Sequence, residues 1–368
     1  MKVSPPTPPP FPVPFSQSVI KLPADQYLHP GAPTEWWWHM GTLRAGDKVF
    51  GFEINAASFT VMAFTQVMLT DVSNKIHRQQ TTVYAPFPAD WAEKDPSKPW
   101  YAKLGDPSIG PSFVSMSAPQ SDPTRDIAVE AAFVDQTTND VVKFSLKFSQ
   151  EGPPFIVWGS GVNPTPEVPG GVTKNNYYYS LTRLQAAGTI TIGDGEPIAV
   201  EGVTWMDHEY GLFGSAGHPV KWFLQDMQLD NGVHISHYTV FSDGAPPSLD
   251  TEFPSHATVQ FADGTTYFDK SCTLTPTGRT WTSPTGTLFY LEFKIHIPSF
   301  DADFTVTSLV DGQDFPFPGG LADTYEGVAV ASGKFMGKRS MGLPGMSSSP
   351  RECLRSHPEG GQLFGCGP

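Results

Sequence analysis

This chain of 368 residues predicts an all-β fold of antiparallel barrels or sandwiches. Three observations carry that reading. Apolar residues alternate along short runs, the period of a strand with one buried face. Gly-bearing dipeptides separate the runs at hairpin spacing. Long helical periodicity is almost absent, and the 37 prolines are about twice the usual fraction.

Taken in order, residues 4–14 carry seven prolines, so 1–24 reads as a polyproline-like arm outside the fold. Alternating runs follow at Val49–Phe59, Val61–Leu69, Ile127–Val134, Val141–Phe148, Tyr177–Leu184, Val233–Phe241 and Thr287–Ile297. Between them stand Gly46-Asp47, Asp194-Gly195, Asn231-Gly232, Asp243-Gly244, Asp263-Gly264 and Asp311-Gly312. Such pairs supply the positive φ that hairpin turns need. Ala89–Lys94 is expected to form one helical turn.

A short repeat bears on domain organisation. Glu35-Trp36-Trp37 leads through Leu43 to Gly46 and Phe52; Lys221-Trp222-Phe223 leads through Leu229 to Gly232 and Tyr238. The two copies hold similar residue types at equal offsets, and hairpin grammar shared by chance is the alternative. If each copy opens a β domain, the domains span 25–215 and 216–340. Their seam falls near the Gly/Ser/Pro-bearing Leu212–Pro219, and an irregular tail covers 341–368.

The formal net charge of -14 argues against nucleic-acid binding, which needs a basic surface, and against docking on anionic lipid. Cys272, Cys353 and Cys366 form no CxxC pair. Reduced thiols in a cytoplasmic setting are therefore expected. No secretory leader is visible, and no apolar run is long enough to span a bilayer. A small-molecule partner is compatible with these exclusions.

Thr204-Trp205-Met206-Asp207-His208-Glu209-Tyr210-Gly211 is the densest chemical signal. On a strand, Trp205, Asp207 and Glu209 share a face. Burial beside an indole raises a carboxyl's pKa and makes it a proton donor near neutrality. The alternative is a structural carboxylate tied to backbone N–H groups at a strand end. In Glu35-Trp36-Trp37-Trp38, Trp36 and Trp38 share one face, a ligand wall or a core staple, and Glu35 or Asp207 is available to an indole N–H. Tyr177 and Tyr179 share a face and place two phenols for a substrate oxygen, or belong to an amphipathic strand. Trp222 and His237 complete the expected binding set. No HxH, HExxH or other ligand spacing appears, so neither a metal nor a cofactor is expected. No nucleophile elbow or phosphate loop is present.

The blocks Glu35-Trp36-Trp37-Trp38…Gly41-x-Leu43, Tyr177-x-Tyr179-Ser180 and Trp205–Gly211 resemble the carotenoid 1,2-hydratase superfamily over roughly residues 25–335. That superfamily includes kievitone-hydratase-like proteins and fungal Diels–Alderase-type cyclases. The resemblance implies two lipocalin-like (calycin) domains, a hydrophobic small-molecule partner and cofactor-independent chemistry on apolar polyketide, terpenoid or prenylated aromatic substrates. In those hydratases a Tyr-x-Asp pair protonates an alkene. Asp207 matches the Asp, Trp205 stands in place of the Tyr, and Tyr177 and Tyr179 fall where a His-x-Trp pair is found. The expected Gly-Tyr-x-Glu ending is missing. Acid-assisted hydration, dehydration or cyclisation is the activity so implied. An orientation-driven [4+2] cyclase and a non-catalytic carrier of a hydrophobic metabolite are the alternatives.

Overall fold

The computed structural model describes residues 18–59, 62–86, 88–119, 122–213, 221–241, 248–316 and 323–348. The turn residues end the strands where positive φ is needed. Gly46 at φ +59° reverses the chain between β1 (Thr34–Ala45) and β2 (Lys48–Phe59). The first sheet continues through β3 (Met62–Asp71), β4 (Ile76–Tyr84), β5 (Trp100–Leu104), β6 (Phe113–Ala118), β7 (Asp126–Val134) and β8 (Val141–Gln150). Two short strands, β9 (Phe155–Ile156) and β10 (Val162–Asn163), precede β11 (Asn176–Ile192) and β12 (Ile198–Gly211). The strands order as β4-β3-β2-β1-β12-β11-β8-β7-β6-β5, with β9 and β10 also on β11. Val134 N–H donates to Gln80 and Gln79 N–H to Asp135, so the loop end of β7 meets β4 and the sheet curls toward closure.

The second sheet holds β13 (Lys221–Leu229), β14 (His234–Phe241), β15 (Phe253–Gln260), β16 (Thr266–Thr282), β17 (Leu288–Ile297), β18 (Ala302–Ser308), β19 (Asp314–Phe315), β20 (Thr324–Phe335) and β21 (Lys338–Ser348). Its order is β18-β17-β16-β15-β14-β13-β21-β20-β19, and β18 also pairs with β20. That last pairing closes a barrel and removes its open edges. The chain is thus all-β, two lipocalin-like barrels in two compact units. Among the described residues, helix is limited to single 3-10 turns at Ala24–Gln26, Gly171–Thr173 and Pro298–Phe300. No described helix is long and apolar enough to cross a membrane.

Each barrel has its own apolar interior. In the first, Trp37 lies edge-on to Trp91 and Trp100 at 5.4 and 5.5 Å, with Phe50, Phe52, Phe144 and Phe148 beyond. In the second, Phe223, Phe289, Phe293 and Tyr325 fill the centre. Burying a large side chain of this kind contributes roughly 1.5–3 kcal/mol.

Three sequence expectations are corrected. Ala89–Lys94 is not helical; Ala92 forms a bridge to Ala102. The arm assigned to 1–24 is tied down at its end: Ile20 is buried in the first core, and Val19 N–H donates to Ser160 O. The irregular tail assigned to 341–368 begins as strand. β21 runs to Ser348 and lies between β13 and β20. Its low apolar content and Pro344 hid it, since backbone pairing needs no apolar side chains. Asp243-Gly244 and residues 349–368 lie outside the described residues.

Candidate functional site

The motif residues meet on β1, β11 and β12, where Trp38 pairs with Asp207, Trp36 with Glu209, Tyr179 with His208 and Ser180 with Asp207. The strand period sends alternate residues to opposite faces, so the motifs build two separate groups. A bulge on β11 helps. Between Leu181 and Leu184 the register slips, so inward residues switch from Tyr177, Tyr179 and Leu181 to Leu184, Ala186 and Ile190. Bulges re-aim side chains in this way. Gly211 ends β12 at φ +116°, and a Cβ there would lie 2.1 Å from Asn175 O, so only glycine fits the end of the motif.

The outer face carries Asp207. Its carboxylate accepts from Ser180 Oγ at 2.5 Å and Trp205 Nε1 at 2.7 Å, with Tyr178 as a third partner. Phe155, Met40, Val157 and Tyr178 pack with Trp205 around it, flanked by Trp38 and Trp158. Burial raises the Asp207 pKa to about 6, against the pull of those donors. Burial raises Glu209 further, to about 8, and the nearby Asp207 charge adds to the effect, while Asn176 bonds to it. Two buried carboxyls thus lie two residues apart along a single aromatic wall. Trp38 Nε1 is buried and has no hydrogen-bond partner among the described residues.

The inner face holds a different polar group. Glu35 Oε1 is 2.9 Å from His29 Nδ1 and 3.1 Å from His208 Nε2. His29 N–H donates to both Glu35 oxygens. His29 Nε2 lies 3.7 Å from Asp25, and His208 Nδ1 is 3.2 Å from the Tyr179 hydroxyl, which donates to Gln26. Burial opposes charge on Glu35, but the hydrogen bonds from His208 and His29 outweigh it and hold its pKa low. Burial likewise opposes charge on His29, but Asp25 and Glu35 win and raise it to about 9. Burial lowers the pKa of His208.

These positions divide the residues expected to act together. Trp205, Glu209, Trp36 and Trp38 share the face of Asp207. Tyr177 and Tyr179 do not: they face inward, where Tyr177 stacks on Tyr210 and bonds to Glu167. The expectation of two phenols beside the acid is corrected for that reason, and Ser180 and Tyr178 occupy those places. Glu35 also faces inward, and Trp37 Nε1 bonds to Gln26 O rather than to a carboxylate. His237 belongs to the second barrel, where Gln225 and Ser255 meet its two ring nitrogens at 2.9 and 2.7 Å. Trp222 is a half-buried residue of β13. Sequence reasoning missed Ser180, Tyr178, Asn176, Asp25 and His29. The polar run Asp25…His29…Glu35 leading into the first strand was the available signal.

A family model described as AttH-like matches residues 14–346. The chain belongs to the AttH-like family. Its fold is similar to that of an AttH-type protein from Nitrosomonas europaea, with a TM-score of 0.71 at 20% identity over 92% of this chain and 99% of that one. It is also similar to kievitone hydratase from Nectria haematococca, with a TM-score of 0.69 at 17% identity over 90% and 93% of the two chains. CghA aligns with a TM-score of 0.51 at 12% identity over 92% and 95%. Among curated proteins, none matches this AttH-like chain by sequence.

Proposed function

We propose that this AttH-like chain is an enzyme in which Asp207 transfers a proton to or from an apolar, unsaturated substrate. The product arises by hydration, dehydration or cyclisation, which share that step. One observation carries the reading. A carboxyl is buried in a wall of Trp205, Phe155 and Tyr178 and is oriented by the Ser180 hydroxyl and Trp205 indole. Such a wall suits a polyketide, terpenoid or prenylated aromatic, and water exclusion helps keep a carboxyl placed in it protonated near neutrality. The similarity to a kievitone hydratase supports a hydro-lyase reading within that class.

The orphan Trp38 Nε1 donor supports a second reading, an orientation-driven cyclase. There the indole N–H would polarise a substrate carbonyl while the wall folds the chain, and proximity would supply most of the rate. One comparison separates the two. A strain lacking the gene is complemented with wild type, Asp207→Asn or Trp38→Phe, and product formation is measured. Under acid catalysis Asp207→Asn lowers turnover by roughly 10²-fold or more, and Trp38→Phe has the smaller effect. Wild-type product levels from a normally folded Asp207→Asn protein would overturn the acid role.

A further inference from the structure

The inner-face trio is not used by the chemistry proposed above. It joins three parts of the chain remote in sequence: the segment ahead of the first strand, β1 and β12. One ligand atom from each of His29, Glu35 and His208 lies within 4.8 Å of those of the other two. We propose that His29, Glu35 and His208 form a binding site for a divalent ion of the zinc class, which clips residues 25–29 to the first barrel.

The donor set is the first argument. Two imidazole nitrogens and one carboxylate oxygen suit a borderline ion such as Zn²⁺. In a tetrahedral site with ligand bonds of about 2.0–2.1 Å, neighbouring ligand atoms are about 3.3 Å apart. The two Glu35 separations, 2.9 and 3.1 Å, need open by only a few tenths of an ångström. Three protein ligands leave a fourth position for water.

The surrounding groups are the second argument. A metal-bound imidazole characteristically gives its other N–H to a carboxylate, carbonyl or similar acceptor, which fixes the tautomer. His208 meets that requirement at hydrogen-bond distance, and His29 has a carboxylate within ion-pair range at 3.7 Å. His29 directs Nε2 at Asp25, and His208 directs Nδ1 at Tyr179 Oη, whose own proton goes to Gln26 Oε1. Every proton in the chain has a place once both metal-facing nitrogens are bare. The rings are also held in position. His29 stacks on Tyr210 at 3.5 Å and 3°, and His208 stacks on Trp37 at 4.6 Å.

Charge is the third argument. Two carboxylates, Asp25 and Glu35, meet two imidazoles in a largely buried group. A divalent cation balances the two carboxylates once it has displaced any proton from the imidazoles, since metal-bound imidazole is neutral.

The test uses the full chain, dialysed against chelator and titrated with Co²⁺, then with Zn²⁺ while the melting temperature is followed. One equivalent of Co²⁺ should bind with visible d–d bands of a four-coordinate site, and Zn²⁺ should displace it and raise the melting temperature. His208→Gln and Glu35→Gln should abolish the bands. Tyr179→Phe, a milder change, should weaken affinity by roughly 10–100-fold. His296→Ala, on the exposed His296–Asp303 pair of the second barrel, should bind as wild type. Absence of Co²⁺ bands in the wild type overturns the proposal and leaves the trio a hydrogen-bonded carboxylate–imidazole relay. Bands that survive in His208→Gln also overturn it, by placing the ion elsewhere. Because the trio and Asp207 face opposite sides of the sheet, this result is independent of product formation in Asp207→Asn.

Discussion

Asp207 is held by donors from its own strand and from the neighbouring one. Trp205 comes from two positions upstream on β12, as motif spacing demands. Ser180 comes from across the sheet and owes its place to pairing register. A hydrogen bond to a charged group typically contributes about 1.5–3 kcal/mol. Ser180→Ala should therefore lower unfolding stability by about that amount above the pKa of Asp207, and by less where the carboxyl is protonated. Urea titrations at two pH values check this, and an equal loss at both would show that the hydroxyl serves packing rather than the carboxylate. The candidate acid was legible at this scale because alternation on one strand needs no knowledge of the fold. Its cross-strand partners were not, since register is a property of two strands together.

At the scale of elements, β11 and β21 are the instructive strands. β11 changes its inward parity at the 181/184 bulge, so a period-two reading carried straight through it assigns one half to the wrong face. The same break sends Tyr177 and Tyr179 inward while Ser180 joins Asp207. β21 pairs on both edges, with β13 and with β20. Truncation after Arg339 removes most of β21 and opens the second barrel, whereas truncation after Ser348 leaves every described strand whole. The shorter chain should lose cooperative unfolding of the second unit in a thermal melt, and the longer one should keep it. Equal melting curves would show that β21 contributes nothing to closure.

For the molecule as a whole, the two barrels share one acid-sensitive device. Burial lowers the pKa of His39 in the first barrel and of His237 in the second to about 3, from 6.5. Above pH 6.5 both histidines are neutral in the folded and unfolded chain alike. Between about 6.5 and 3 only the unfolded chain binds the proton, so stability falls as pH falls, by up to about 1.4 kcal/mol per pH unit per group. The denaturant midpoint of the second unit should drop between pH 7 and pH 5. In the first unit, where Asp207 and Glu209 titrate in the opposite sense, His39→Gln should gain stability relative to wild type as pH falls. A pH-independent midpoint for the second unit would contradict the buried neutral state.

The amino-acid sequence alone determined the all-β class, several strand positions, many hairpin turns and the shared face of Trp205, Asp207 and Glu209. These depend on local period and turn chemistry, which a single stretch of chain carries within itself. Only the tertiary structure decided that Tyr177 and Tyr179 face away from Asp207, that Ser180 orients it, and that His29, Glu35 and His208 meet. His208 lies 173 residues from Glu35 along the chain. Their encounter depends on β1 lying beside β12, and strand order in a sheet is set by the packing of the whole barrel rather than by any one segment.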